Sequence, residues 1–81
     1  MSENAVLKVF TIEVERETGS LERVLSVARR RGLALERLSV IAEGPSLYKI
    51  RMETGGAPAE AALALVQLNA LIDVKRAVME D

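Results

Sequence analysis

Few side chains in this sequence could do chemistry, and their spacing narrows what that chemistry is. There is no cysteine and no histidine, which removes thiol nucleophiles, imidazole bases and most zinc sites. No metal-ligating cluster is expected. Glu13, Glu15 and Glu17 recur at every second position. That is the spacing of one exposed side at a strand end, not of two carboxylates converging as acid and base. Arg29, Arg30 and Arg31 stand directly before Gly32, where basic side chains complement the negative end of a helix, so the run reads as a solvated cap. Phe10 and Tyr48 are the only aromatic residues, too few for a base-stacking RNA sheet, and they are expected in a core or a dimer seam. The turn Thr18-Gly19-Ser20-Leu21 carries residue types that serve simply as a helix cap.

The elements that must position this turn are sharply punctuated, because the glycines and prolines fall between periodic segments. Ala5 to Val14 reads as a first strand, with Val6, Phe10, Ile12 and Val14 on one side. Leu7 and Val9 on the other side suggest a central strand. Ser20 to Arg31 reads as a helix whose stripe is Leu21, Val24, Leu25 and Ala28, capped at its start by Thr18 or Ser20 and ended by Gly32. Leu33 to Ala42 is a second strand, interrupted at Glu36-Arg37. After the tight connection Glu43-Gly44-Pro45-Ser46, Leu47 to Thr54 is a third strand with Tyr48, Ile50 and Met52 facing inward. Pro58 suits the first turn of a second helix, from about Ala59 to Leu71. Ile72 to Met79 is the last strand, with Val74 and Val78 on one side and Lys75 and Met79 on the other.

This order predicts an α+β, ferredoxin-like βαββαβ fold: a four-stranded antiparallel sheet with two helices on one face, and strands two and four at its edges. The length of 81 residues fits a single domain, 1–81. One helical layer leaves the other face of the sheet uncovered, and the edge Leu38-Ser39-Val40-Ile41 carries no proline or lysine to block it. A homodimer through edges, faces or both is therefore expected. In the second helix Ala61, Leu65, Leu68 and Ile72 form a stripe for the sheet. Leu63, Val66 and Ala70 point to the opposite side, where they either dock a partner or are scattered surface residues.

Charge and hydropathy limit the partners. With 11 basic and 12 acidic residues the net charge is −1, which disfavours nucleic acid or an anionic membrane. Met1-Ser2-Glu3-Asn4 is unlike a secretory leader. The longest apolar run, Ala61 to Val66, is far below the ~20 residues of a membrane span. A cytoplasmic protein that binds or regulates is expected.

Three stretches in this order resemble a known family: Glu17-Thr18-Gly19-Ser20-Leu21-Glu22-Arg23-Val24-Leu25; Arg30-Arg31-Gly32-Leu33 leading into Leu35-Glu36-Arg37-Leu38-Ser39-Val40; and Gln67-Leu68-Asn69-Ala70-Leu71-Ile72-Asp73-Val74. Together they are similar to the ACT domain, and within it to the small regulatory subunits of acetolactate (acetohydroxyacid) synthase in their short, isozyme-two form. The resemblance implies a non-catalytic homodimer. Such a dimer activates a large catalytic subunit that joins pyruvate to pyruvate or 2-oxobutyrate, the first common step of branched-chain amino-acid synthesis. Thiamine diphosphate, magnesium and FAD would sit in that large subunit, with no cofactor in this chain.

The same resemblance implies an amino-acid effector site at a dimer interface, lined here by Arg16, Thr18, Gly19, Ser20, Leu21 and Ala34, with the ligand carboxylate received by the backbone amides that follow Gly19 at the helix start. Valine-sensing relatives carry asparagine three positions before the turn glycine and two after the helix-ending glycine. This sequence has Arg16 and Ala34 there. Alanine offers no amide and arginine repels a ligand ammonium group, so weak or absent valine feedback is expected. The alternative is a free-standing ACT-domain homodimer that senses another amino acid or oxo-acid, with Arg16 favouring an extra carboxylate. A metal carrier would need a Cys-x-x-Cys, which is missing.

Overall fold

Alternating apolar residues make the strands, and left-handed glycines end the segments. The computed structural model describes residues 6–80. Met1-Ser2-Glu3-Asn4 and Ala5, expected as the first strand residue, lie outside the described residues. The order is β1 (Val6–Glu15), α1 (Ser20–Arg30), β2 (Ala34–Glu43), β3 (Leu47–Gly56), α2 (Pro58–Ala70) and β4 (Val74–Glu80). The sheet runs β2-β3-β1-β4, with antiparallel pairing throughout. This is the expected βαββαβ arrangement, with β1 and β3 central.

One face of the sheet is the core. Phe10, Ile12 and Val14 of β1 stand opposite Met52, Ile50 and Tyr48 of β3. All but the half-buried Tyr48 lie in the buried cluster with Val24, Val27 and Ala28 of α1 and Ala61, Ala64 and Leu68 of α2. The alanines at Ala61 and Ala64 let α2 approach the sheet closely. On the other face Glu13 of β1 stands between Lys49 and Arg76, and Arg51 pairs with Glu53 at 2.5 Å. Cross-strand opposite charges stabilise a wet face. The uncovered face is therefore charged, whereas the apolar surplus collects along β2.

The end of α1 matches the reading of Gly32 as its stop. Gly32 has φ +71°, its amide donates to the Arg29 carbonyl, and the Leu33 amide reaches the Ala28 carbonyl. These are the paired bonds of a Schellman motif. Arg29 and Arg30 are exposed, and Arg31 lies 3.7 Å from Glu60. The interruption at Glu36-Arg37 is a β-bulge between Leu35 and Arg37.

Three expectations are corrected. The start of α1 is capped by neither Thr18 nor Ser20: Gly19 occupies the cap position with no side-chain bond. Ile72 does not join the inner stripe of α2. The helix stops at Ala70, and Ile72 is 96% exposed in the turn that follows. The inner face is completed instead by Ala64. Finally, Val74 and Val78 lie on opposite sides of β4. Pairing slips between Glu13 and Val14, so that Val74 opposes Val14 while Ala77 opposes Ile12 and Val78 opposes Thr11. An irregularity of this kind reverses the side to which every later residue points.

Candidate functional site

The turn before α1 is built on a residue that only glycine fills without strain. Gly19 has φ +80°, in the left-handed region that costs other residues energy. Its carbonyl accepts from the Arg23 amide at 3.0 Å, and the Ser20 amide turns back to the Glu17 carbonyl at 3.0 Å. No side chain caps this first turn, so the amides of Leu21 and Glu22 are the donors it leaves available among the described residues. Together with the positive end of the helix dipole, they make a place for a small carboxylate. Thr18 is exposed and Leu21 half-buried. Ser20 is 1% exposed, and its Oγ has no hydrogen-bond partner.

A clamp that sequence reasoning missed holds this turn in place. Arg23 crosses to the buried Asp73, which follows α2, with Nε 3.0 Å from Oδ2 and Nη2 against the same oxygen. Its Nη2 also donates to the Thr18 carbonyl at 3.2 Å. The Asp73 carbonyl in turn accepts from the Glu15 amide at 2.9 Å. One guanidinium thus ties the α1 entrance to the ends of β1 and α2. Both residues lie in stretches singled out above, and their opposite charges were the available signal.

The six residues expected at an effector site do not converge within one protomer. The Arg16 guanidinium lies over the Tyr48 ring, 5.0 Å from its centroid, and donates to the Gly44 carbonyl at 3.0 Å. It belongs to a hollow of about 410 Å³ lined by Glu15, Arg16, Glu17, Pro45, Ser46, Leu47 and Lys75. Ala34 is exposed and pairs with Gly55. From Tyr48 to Gly55 is seven residues along β3, or about 23 Å. A pocket that uses both Arg16 and Ala34 must therefore take one of them from another copy of the chain.

The two expected contact surfaces are exposed. Every residue of β2 is exposed, including Leu38, Ser39, Val40 and Ile41. Leu38 and Val40 stand opposite Met52 and Ile50, on the helix side of the sheet. On α2, Leu63 and Val66 are 45% and 66% exposed, and Ala70 is exposed beside them. The opposite edge of the sheet is treated differently. The Asn69 side chain accepts from the Ala77 amide at 3.0 Å and donates to the Ala77 carbonyl at 3.0 Å. It thus stands in for a neighbouring strand at the middle of β4. In the sequence Asn69 is merely a polar break in an apolar helix. Among the described residues no group of three His, Cys, Asp or Glu could hold a metal ion, and no helix is long and apolar enough to cross a membrane.

Comparison with known proteins agrees with this fold. The chain is 33% identical over 72 residues to the acetolactate synthase small subunit of Buchnera aphidicola subsp. Schizaphis graminum, an alignment covering 88% of this chain and 46% of that protein. The chain thus spans less than half the length of this relative. Among solved structures, the ACT domain from GTP pyrophosphokinase of Chlorobium tepidum superposes with a TM-score of 0.78 at 10% identity, over 96% of this chain and 89% of that one. The regulatory subunit of aspartate kinase from Thermus thermophilus gives a TM-score of 0.68 at 18% identity, over 98% of this chain and 52% of that one. At such identities the likeness speaks for the fold alone. The sequence pattern of the ACT domain itself matches residues 16–77, from Arg16 beside the Gly19 turn to Ala77 under Asn69, and on that match the chain belongs to the ACT domain family.

Proposed function

We propose that this chain is a non-catalytic regulatory subunit that activates a larger, thiamine-diphosphate-dependent acetolactate synthase in branched-chain amino-acid synthesis. The observation that carries the reading is 33% identity to an acetolactate synthase small subunit across 88% of this chain. The chain works as a homodimer joined at the β2 edge, Leu38 to Ile41, where apolar side chains on the helix side lack cover. The outer stripe of α2, Leu63, Val66 and Ala70, docks the large subunit, because both larger residues are exposed on a helix whose other side fills the core. Thiamine diphosphate, magnesium and FAD belong to that partner.

Regulation by valine is weak or absent. A bound amino acid could place its carboxylate on the amides after Gly19, but its ammonium group finds no side-chain acceptor at Ala34. Arg16 is committed to Tyr48 and Gly44 and brings positive charge. The test is to mix the chain with an acetolactate synthase large subunit and assay acetolactate with and without valine. Activation that valine leaves unchanged is the expected result. No activation together with no capture of the large subunit would defeat the proposal in favour of a free-standing dimer sensing another ligand. Saturable valine binding at micromolar concentration in calorimetry would defeat the effector reading alone.

A further inference from the structure

We propose that Ile72 is the anchor by which the chain grips an apolar socket on its large catalytic partner, and that the Arg23–Asp73 clamp holds it in position. The proposal rests on the regulatory-subunit reading above and adds the residue that makes the grip.

Folding alone gives no reason for an isoleucine at this place. Ile72 is 96% exposed, so its side chain adds almost nothing to the core. It stands in the turn between α2 and β4, where the Val74 amide donates to the Leu71 carbonyl at 3.1 Å. Such turns favour glycine, asparagine, aspartate or serine over a β-branched residue. Single exposed apolar residues are ordinary, but this one continues a row. Val66 is 66% exposed, and Ala70, the exposed last residue of α2, comes two positions before Ile72.

The turn is also held more firmly than an idle loop requires. Leu71 on one side packs against the core, and its amide donates to the Leu68 carbonyl at 3.2 Å. Asp73 on the other side is buried. Its carbonyl accepts from the Glu15 amide, and its Oδ2 accepts from Nε and Nη2 of Arg23. Both neighbours of Ile72 are thus tied inward, while Ile72 itself faces out. A β-branched side chain is stiff at χ1, so an isoleucine on a fixed backbone loses little freedom when it docks. Apolar anchors prepared in this way seat in a pocket of the partner and carry a large share of the binding energy.

Shape and charge select the occupant. A projecting side chain set against its own copy meets another projection, which cannot enclose it. The contact therefore calls for a socket on a different protein. The charges beside the turn are already matched: Arg23 with Asp73, and Lys75 with Glu15 at 3.6 Å. They offer an acidic or basic ligand no spare counter-charge, and the matching socket is apolar. In the reading above, the protein that meets this end of α2 is the large catalytic subunit.

The experiment titrates the whole chain with an acetolactate synthase large subunit to obtain Kd, and follows unfolding of the chain separately in urea. Ile72→Ala is expected to weaken binding at least about tenfold, with the urea midpoint unchanged. Arg23→Ala is expected to weaken binding about threefold or more in the wild-type chain. Once Ile72 is replaced by alanine, Arg23→Ala should have no further effect, because a positioning residue then has nothing to position. Unchanged binding by Ile72→Ala, or a lowered urea midpoint, overturns the anchor and leaves the regulatory-subunit reading standing. Equal weakening by Arg23→Ala in both backgrounds overturns the positioning role of the clamp. A wild-type chain that does not bind the large subunit overturns that reading itself, and the anchor with it.

Discussion

Replacing Gly19 with alanine tests the α1 entrance most directly. Two costs add. At φ +80° a side-chain-bearing residue loses about 1–2 kcal/mol. The new Cβ would also lie 3.0 Å from Arg23 Nη1, so the guanidinium must shift by a few tenths of an ångström, which loosens its bonds to Asp73 and the Thr18 carbonyl. Asp73 is 5% exposed but the Arg23 side chain is 45% exposed. Solvent screening and side-chain freedom therefore hold this second cost to about 1 kcal/mol. The total is about 2–3 kcal/mol, or a fall in Tm of roughly 10–20 °C for a domain of this size. Urea unfolding followed by circular dichroism, at one fixed protein concentration because association couples to stability, measures the loss. In an Arg23→Ala background the same substitution should cost only the backbone share, about 1–2 kcal/mol. A loss below about 0.5 kcal/mol in the wild-type background, or an identical loss in both, would refute the reasoning.

Two further outcomes follow from the surfaces of α2. Asn69→Ala removes both bonds to the Ala77 backbone and should cost about 1–2 kcal/mol. It should also speed hydrogen exchange at the Ala77 amide, and an unchanged rate would show that the amide is protected by something else. Val66→Asp should leave stability within about 0.5 kcal/mol, as expected for an exposed position, while abolishing activation of the synthase. A variant that unfolds instead would make the outer stripe part of the core.

The sequence carried the order of elements because each change of structure is marked by a residue with one conformational use. Gly32 closes α1 and Pro58 opens α2. What escaped was set by pairing across the sheet. The slip between Glu13 and Val14 leaves no mark in β4 itself, so the sides of Val74 and Val78 were assigned as if the strand were regular. Ile72 fits the helical period of α2, but the helix ends two residues before it. At the candidate site, the glycine turn that opens α1 was legible from local chemistry. The Arg23–Asp73 clamp was not, because its partners are 50 residues apart and nothing short of the fold brings them together. Asn69 shows the same limit: a side chain that disturbs one element locally completes another.

The unequal treatment of the two sheet borders also decides how far assembly can go. A chain with two sticky borders adds copies without end, in the manner of a filament. Here the Asn69 carboxamide stoppers one border, so two copies joined at the other would use up the last adhesive rim, and growth would terminate at a closed pair.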